Sequence, residues 1–218
     1  MIISHRFKFV FFSNPETGSD AVCRVLAPFA DEPVVPFHSQ SPERPYYTCM
    51  SPSEAAIAFF QNNRNLADYV CISSIENPFT RLPRVYDRIV EEDKFKTLRR
   101  LIGQTPPSFD RWLIKSETGG RGGGGSLQDR WRRFGTWTSS NWSAGFIEHF
   151  IRREHMAEDL NQVISELQLP IPMLAAESAL QMPTRPLGRN ATEIISIRYR
   201  DDLVAFDYCP SDTDEVAA

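Results

Sequence analysis

Residues 7–25 read FKFVFFSNPETGSDAVCRV, and this stretch decides the fold prediction for the rest of the chain. Residues 9–12 are apolar and aromatic, which is typical of a short buried strand. A polar cluster follows at residues 14–20, with Gly18 where the backbone must pass close to another group. Apolar side chains then recur at helical spacing. A strand, a tight polar loop and a helix direct backbone N–H groups at an anion, so we expect an anion site here.

The composition indicates an ordinary globular protein. A chain of 218 residues fits one α/β domain. Its net charge of −4 gives no support to nucleic-acid binding. No apolar run is long enough to span a bilayer, and residues 1–10 lack the features of a secretory signal. The four cysteines are scattered without metal-ligand spacing, which predicts reduced thiols, no metal and a cytoplasmic location.

The loop after the first strand resembles the 5′-phosphosulfate loop of the sulfotransferase superfamily, in particular its bacterial and carbohydrate-type members. The family pattern is a strand followed by P-K-T-G-[ST]-[ST] and a helix. Pro15, Thr17, Gly18 and Ser19 match this pattern, whereas Glu16 stands where the family has its lysine. An ordinary strand-to-helix turn is the alternative interpretation of this segment alone.

A second and more specific resemblance begins at residue 68. Residues 68–75 are predicted to form a buried strand, and the family's 3′-phosphate motif follows it. The matching residues are Asn77, Pro78, Phe79, Arg81, Leu82 and Tyr86. Asn77 can cap a helix that begins at Pro78, which would direct the helix N-terminus at a phosphate. Glu76 replaces the arginine that grips the 3′-phosphate in the family, and Arg84 replaces a serine.

Two later segments resemble elements that mark the family fold. The first follows a predicted strand at residues 146–154 and matches at Arg152, Glu154, Met156, Asp159, Leu160 and Val163. The second matches at Tyr199, Asp202, Leu203, Phe206 and Tyr208. Together the four segments imply an α/β sulfotransferase fold, in which a central parallel sheet is flanked by helices in a P-loop-like arrangement.

The remaining helices are predicted from capping and periodicity. Ser51 and Glu54 form a capping box for a helix over residues 55–63. Amphipathic patterns predict further helices over residues 85–101, 108–114 and 156–167. The segment 190–193 (NATE) is expected to start another capped helix.

Two residues are candidates for a catalytic base. His38 lies in a proline-rich loop, where a solvated histidine without a partner is the alternative interpretation. Cys49 stands where similar bacterial sulfotransferases have a histidine, although a thiol with a reference pKa of about 8.5 is mostly protonated at neutral pH. The basic and aromatic run 130–134, with Trp137 and Trp142, could hold a sugar or an anionic acceptor, or could be a packed aromatic cluster.

The expected domain organisation is a single sulfotransferase-like domain over residues 1–209. Residues 119–126 are rich in glycine and predict a flexible tether, either native or an introduced linker. Residues 210–218 form an acidic tail that is predicted to be disordered. The oligomeric state is left open.

The resemblance implies sulfuryl transfer from 3′-phosphoadenylyl sulfate (PAPS) to a hydroxyl or amine of a carbohydrate or small-molecule acceptor. Glu16 and Glu76 argue against that activity, because each places an anion where the family has a cation. Two hypotheses therefore remain: an active transferase that uses other arginines, and a catalytically inactive or repurposed binding domain. In either case we expect an arginine within salt-bridge reach of Glu16 or Glu76, namely Arg84 or another, with Arg81 the nearest candidate in sequence.

Overall fold

The protein is α/β, as the sequence predicted. A computed structural model describes residues 1–91, 106–117, 138–143, 145–175 and 186–210. The chain divides into two compact units. The first comprises Met1–Glu76 and Ser139–Leu180, and the second comprises Asn77–Thr138 and Gln181–Ala218.

The first unit is built around a four-stranded, mostly parallel sheet. The strands, in spatial order, are β1 (Ile2–Ser4), β2 (Phe9–Phe12), β3 (Val70–Ile75) and β4 (His149–Arg152). β1 is antiparallel to β2, whereas β2, β3 and β4 run parallel to one another. Phe12 pairs with Ser73, and Ser73 pairs with Phe150, so the carboxyl ends of the three parallel strands meet at one edge. The three predicted strands thus lie in one sheet, although β4 is shorter than the predicted segment 146–154.

Helices cover the sheet of the first unit. They are α1 (Ser19–Leu26), α2 (Pro52–Gln61), α5 (Ser139–Ser143) and α6 (Met156–Glu166). The predicted capping box of α2 is present, since the Ser51 side chain accepts from the Glu54 amide and the Glu54 carboxylate accepts from the Ser51 amide. Two apolar clusters fill the unit: one contains Val10, Phe12 and Phe59, and the other contains Phe9, Phe11 and Leu160. All four side chains of β2 are buried, which explains its continuous apolar run.

The second unit is helical in its described part. Its helices are α3 (Pro78–Glu91), α4 (Phe109–Glu117), α7 (Arg189–Arg198) and α8 (Arg200–Phe206). One apolar cluster joins them around Leu82, Trp112 and Tyr199. The prediction of a side-chain cap at Asn190 is wrong. The helix starts one residue earlier, its N-cap is Gly188, and no side chain caps it.

Several predictions fall on residues outside the described ranges. These are the glycine-rich segment 119–126, the aromatic residues of the run 130–137, the part of the predicted helix beyond Glu91, and residues 211–218 of the tail. Trp142 is described, and it packs edge-on against Phe12 with ring centroids 6.4 Å apart. The single domain over residues 1–209 stays a prediction. Within the described residues, no helix combines the length and apolar character that a membrane crossing requires.

Candidate functional site

The loop between β2 and α1 is held in a conformation that only some residues adopt. Gly18 is the N-cap of α1 and has a φ of 77°, in the left-handed region that favours glycine. Glu16 also has a positive φ, of 65°. The Thr17 hydroxyl donates to the Asn14 carbonyl at 2.8 Å, which closes the loop on itself. The sequence pattern of a tight turn into a helix is therefore confirmed.

Buried polar side chains tie this loop to the neighbouring strand. The Thr17 and Ser74 hydroxyls are 2.7 Å apart. The Asn14 side-chain amide donates to the Ser74 carbonyl at 3.2 Å and to the Ser139 hydroxyl at 3.0 Å. All four residues are buried, with exposed fractions of 3% or less. Because polar groups are seldom buried without such bonds, this network fixes the loop at the carboxyl edge of the parallel strands, where α/β proteins bind their ligands.

An ion pair lies beside the loop. Arg153 Nη1 is 3.3 Å from Glu76 Oε2, and the two side chains are 22% and 4% exposed. A Cβ atom added at Gly18 would lie 3.4 Å from Arg153 Cγ and 3.1 Å from Met156 Cε. The Arg153 side chain therefore runs past Gly18 to the Glu76 carboxylate. The expectation that an arginine pairs with one of the two glutamates is confirmed, and the arginine is Arg153.

The predicted loop residues are all assembled in the first unit. Pro15, Glu16 and Gly18 are half-buried, and Thr17 is fully buried. Ser19 opens α1 and is 8% exposed. Glu76 directly follows β3 and joins this group through Arg153. The sequence thus placed six of its candidate residues at one edge of the sheet.

The other predicted phosphate contacts belong to the second unit. Asn77 caps α3 as predicted, because its Oδ1 accepts from the Phe79 amide at 3.0 Å. Arg81 is only 3% exposed, and its guanidinium lies 5.3 Å from the centre of the Tyr199 ring. Burial raises the pKa of Tyr199, and the positive charge of Arg81 opposes that rise. Arg84 is half-buried in the same helix. That Asn77, Arg81 and Arg84 share a cleft with the loop stays a prediction.

The two candidate bases differ in their surroundings. His38 is exposed in a short 3₁₀ turn, Phe37–Ser39. Cys49 is half-buried with a φ of 60°, and it lies within electrostatic range of Asp20 and Glu16. Burial, together with these carboxylates, raises the pKa of the Cys49 thiol. A thiol that stays protonated at neutral pH is a poor general base.

Sequence reasoning missed four members of this site: Asn14, Ser74, Ser139 and Arg153. Ser74 lies at the end of a predicted strand, so its position at the sheet edge could have been inferred from the parallel arrangement. Arg153 directly follows β4, beside the family-matched Arg152. The two arginines have different partners. The Arg152 guanidinium makes two hydrogen bonds to the Asp159 carboxylate, at 2.9 and 2.6 Å, and stabilises the start of α6, whereas Arg153 pairs with Glu76.

Comparison with known proteins adds no assignment: no family model, curated protein or solved structure matches the chain. In the described ranges, no three His, Cys, Asp or Glu side chains form a group that could hold a metal ion.

Proposed function

We propose that the chain is a sulfotransferase-like domain in which an internal carboxylate takes the place that the family gives to a nucleotide phosphate. It would act as a repurposed binding domain with little affinity for the family's usual donor. The observation that carries this proposal is the Arg153–Glu76 ion pair beside Gly18. An arginine beside the loop between β2 and α1 (residues 13–18, called the phosphate loop below) is the expected partner of an anion, and here the chain supplies that anion itself.

The residues present do not fit a polyanionic donor such as PAPS. Two unit charges 4 Å apart interact by about 4 kcal/mol at an effective dielectric constant of 20, so each replacement of a cation by a glutamate converts attraction into repulsion. The Glu76 carboxylate is 96% buried, which limits screening by salt. The Arg153 charge is already paired. The backbone N–H groups at Gly18 and Ser19 remain, but a backbone cradle on its own makes a weak anion site.

An active sulfuryl transferase is the second candidate. The position of Arg153 beside Gly18 favours it as well, because this places a cation at the loop. The family has a lysine at the position of Glu16. If a donor displaced Glu76, Arg153 could supply the positive charge that this lysine provides in the family. The acceptor in that case would be a hydroxyl or amine of a carbohydrate or small molecule. The two candidates differ in a measurable property, because only the transferase requires tight binding of the nucleotide.

A double-mutant cycle on nucleotide affinity tests the proposal. Glu16→Lys, Glu76→Arg and the double variant would be titrated calorimetrically with 3′-phosphoadenosine 5′-phosphate, at low and at physiological salt. We expect the double variant to bind far more tightly than either single variant, since each single change leaves one repelling carboxylate. The matched control is Glu43→Lys with Glu158→Arg, which changes the net charge equally at exposed positions.

A double variant with no gain in affinity would mean that shape, rather than charge, closes the site, and the ion-pair account would be wrong. An equal gain in the control would also contradict it, because the effect would then come from net charge alone. Micromolar binding to the unmodified chain would favour the transferase.

A further inference from the structure

A second polar site lies at the opposite edge of the sheet from the phosphate loop. Lys8 directly precedes β2 and Tyr69 directly precedes β3, whereas the loop follows the carboxyl end of β2. A groove of 520 Å³ opens between these strand starts. It is lined by His5, Lys8, Asn63, Arg64, Asn65, Asp68 and Tyr69. The groove belongs to the first unit throughout and shares no residue with the site described above.

Two cations flank the groove. The Lys8 ammonium lies 4.8 Å from the centre of the Tyr69 ring. Arg64 contacts Glu32 through Nη1 at 2.6 Å, which fixes the guanidinium while leaving its other N–H groups as donors. Glu32 is shared with His5, and these hydrogen bonds hold the pKa of its carboxyl below the usual value although burial opposes them. Among the lining residues, Asp68 is the one carboxylate against the two cations Lys8 and Arg64. Glu32 offsets part of the Arg64 charge, so Lys8 is the cation that no carboxylate of the described residues contacts.

Hydrogen bonds orient two further side chains that line the groove, His5 and Asn65. His5 bridges the Tyr69 hydroxyl and Glu32, at 2.8 Å to each. Asn65 Oδ1 accepts from the Ala67 amide, which orients the side chain and leaves its Nδ2 to donate.

We propose that this groove binds a small ligand through a phosphate or sulfate group, held by Lys8 and Arg64 with the amides of Asn63 and Asn65. A tetrahedral oxyanion offers enough acceptor oxygens for several donors at once, and a guanidinium that is already oriented suits it. The inference is independent of the function proposed for the phosphate loop, since it depends on other residues at the other edge of the sheet.

The test is a titration of the ¹⁵N-labelled full chain with inorganic phosphate, sulfate and acetate at constant ionic strength, followed by amide chemical shifts. We expect saturable shifts around Lys8 and Asn63 with phosphate or sulfate, and weaker ones with acetate. Lys8→Gln and Arg64→Gln should each weaken binding about fivefold, as loss of one partly exposed charge contact predicts. Arg44→Gln, which removes an exposed arginine elsewhere in the same unit, should leave binding unchanged.

Comparison of the phosphate and sulfate arms identifies which oxyanion the groove prefers. Because Arg64→Gln also removes the contact with Glu32, Lys8→Gln serves as the variant that leaves the hydrogen-bond network intact. Shifts that rise linearly without saturation, or an unchanged affinity in Lys8→Gln, would overturn the proposal. Acetate binding as tightly as phosphate and sulfate would contradict the assigned ligand class.

Discussion

Gly18 and Gly145 offer a direct comparison between two glycines with the same backbone angle. Both have a φ of 77°, but only Gly18 lies against other side chains, since a Cβ at Gly145 would meet nothing within 4 Å. Alanine in the left-handed region costs about 1–2 kcal/mol. We expect Gly145→Ala to lose only this amount of unfolding free energy, and Gly18→Ala to lose more because of Met156 and Arg153. Urea denaturation of both variants measures the difference, and equal losses would contradict the close packing at Gly18.

The Arg153–Glu76 pair predicts a second, non-additive result. Removing Arg153 alone leaves a carboxylate that is 96% buried without this partner, so Arg153→Met should lower the unfolding free energy by about 2 kcal/mol or more. The double variant Arg153→Met with Glu76→Gln removes both charges and should lie within about 1 kcal/mol of the unmodified protein. Denaturant unfolding of the four proteins checks this. A double variant less stable than Arg153→Met would show that the pair contributes little as a pair.

Single residues were predictable only where the local sequence determines their role. Gly18, Asn77 and Ser51 were identified correctly because a turn or a helix start requires those residue types nearby in sequence. The contact between Glu76 and Arg153 was not, since 77 positions separate the two residues and the alignment of β3 with β4 brings them together.

Among the helices, α2 depends on its N-terminal cap. Ser51 and Glu54 bond to each other's backbone amides, which satisfies two donors that the helix start leaves open. Ser51→Ala should therefore lower the unfolding free energy by about 1 kcal/mol. Ser53→Ala, at an exposed position in the same turn, is the matched control and should change it little. Thermal or urea unfolding distinguishes the two, and equal effects would mean that the cap adds nothing.

Elements with strong local signals were predicted well, and the errors fall at their ends. β2 and β3 were found because their runs are short, rich in aromatic or β-branched residues, and followed by a proline-containing turn or helix start. β4 begins at His149 rather than at residue 146, because pairing with β3 starts only where His149 meets Ile72. At α7, the short polar segment around Asn190 was read as a cap, although the asparagine lies inside the helix and Gly188 precedes it.

For the molecule as a whole, the α/β class followed from the chain length and from the four segments that resemble a known family, whereas the function does not follow from the fold. Two glutamates, Glu16 and Glu76, stand at positions where the sequence pattern otherwise resembles a nucleotide site, and Glu76 pairs with Arg153 within the first unit. We therefore propose that the unmodified chain binds 3′-phosphoadenosine 5′-phosphate weakly, because Glu76 would compete with the nucleotide for Arg153.

Calorimetric titration of the unmodified chain and of Glu76→Gln with that nucleotide tests this claim most directly. We expect a dissociation constant in the millimolar range or weaker for the unmodified chain, about 4 kcal/mol short of micromolar binding. Removing the carboxylate charge frees Arg153, so Glu76→Gln should bind about tenfold more tightly. Micromolar binding to the unmodified chain, or an affinity that does not change in Glu76→Gln, would contradict the account.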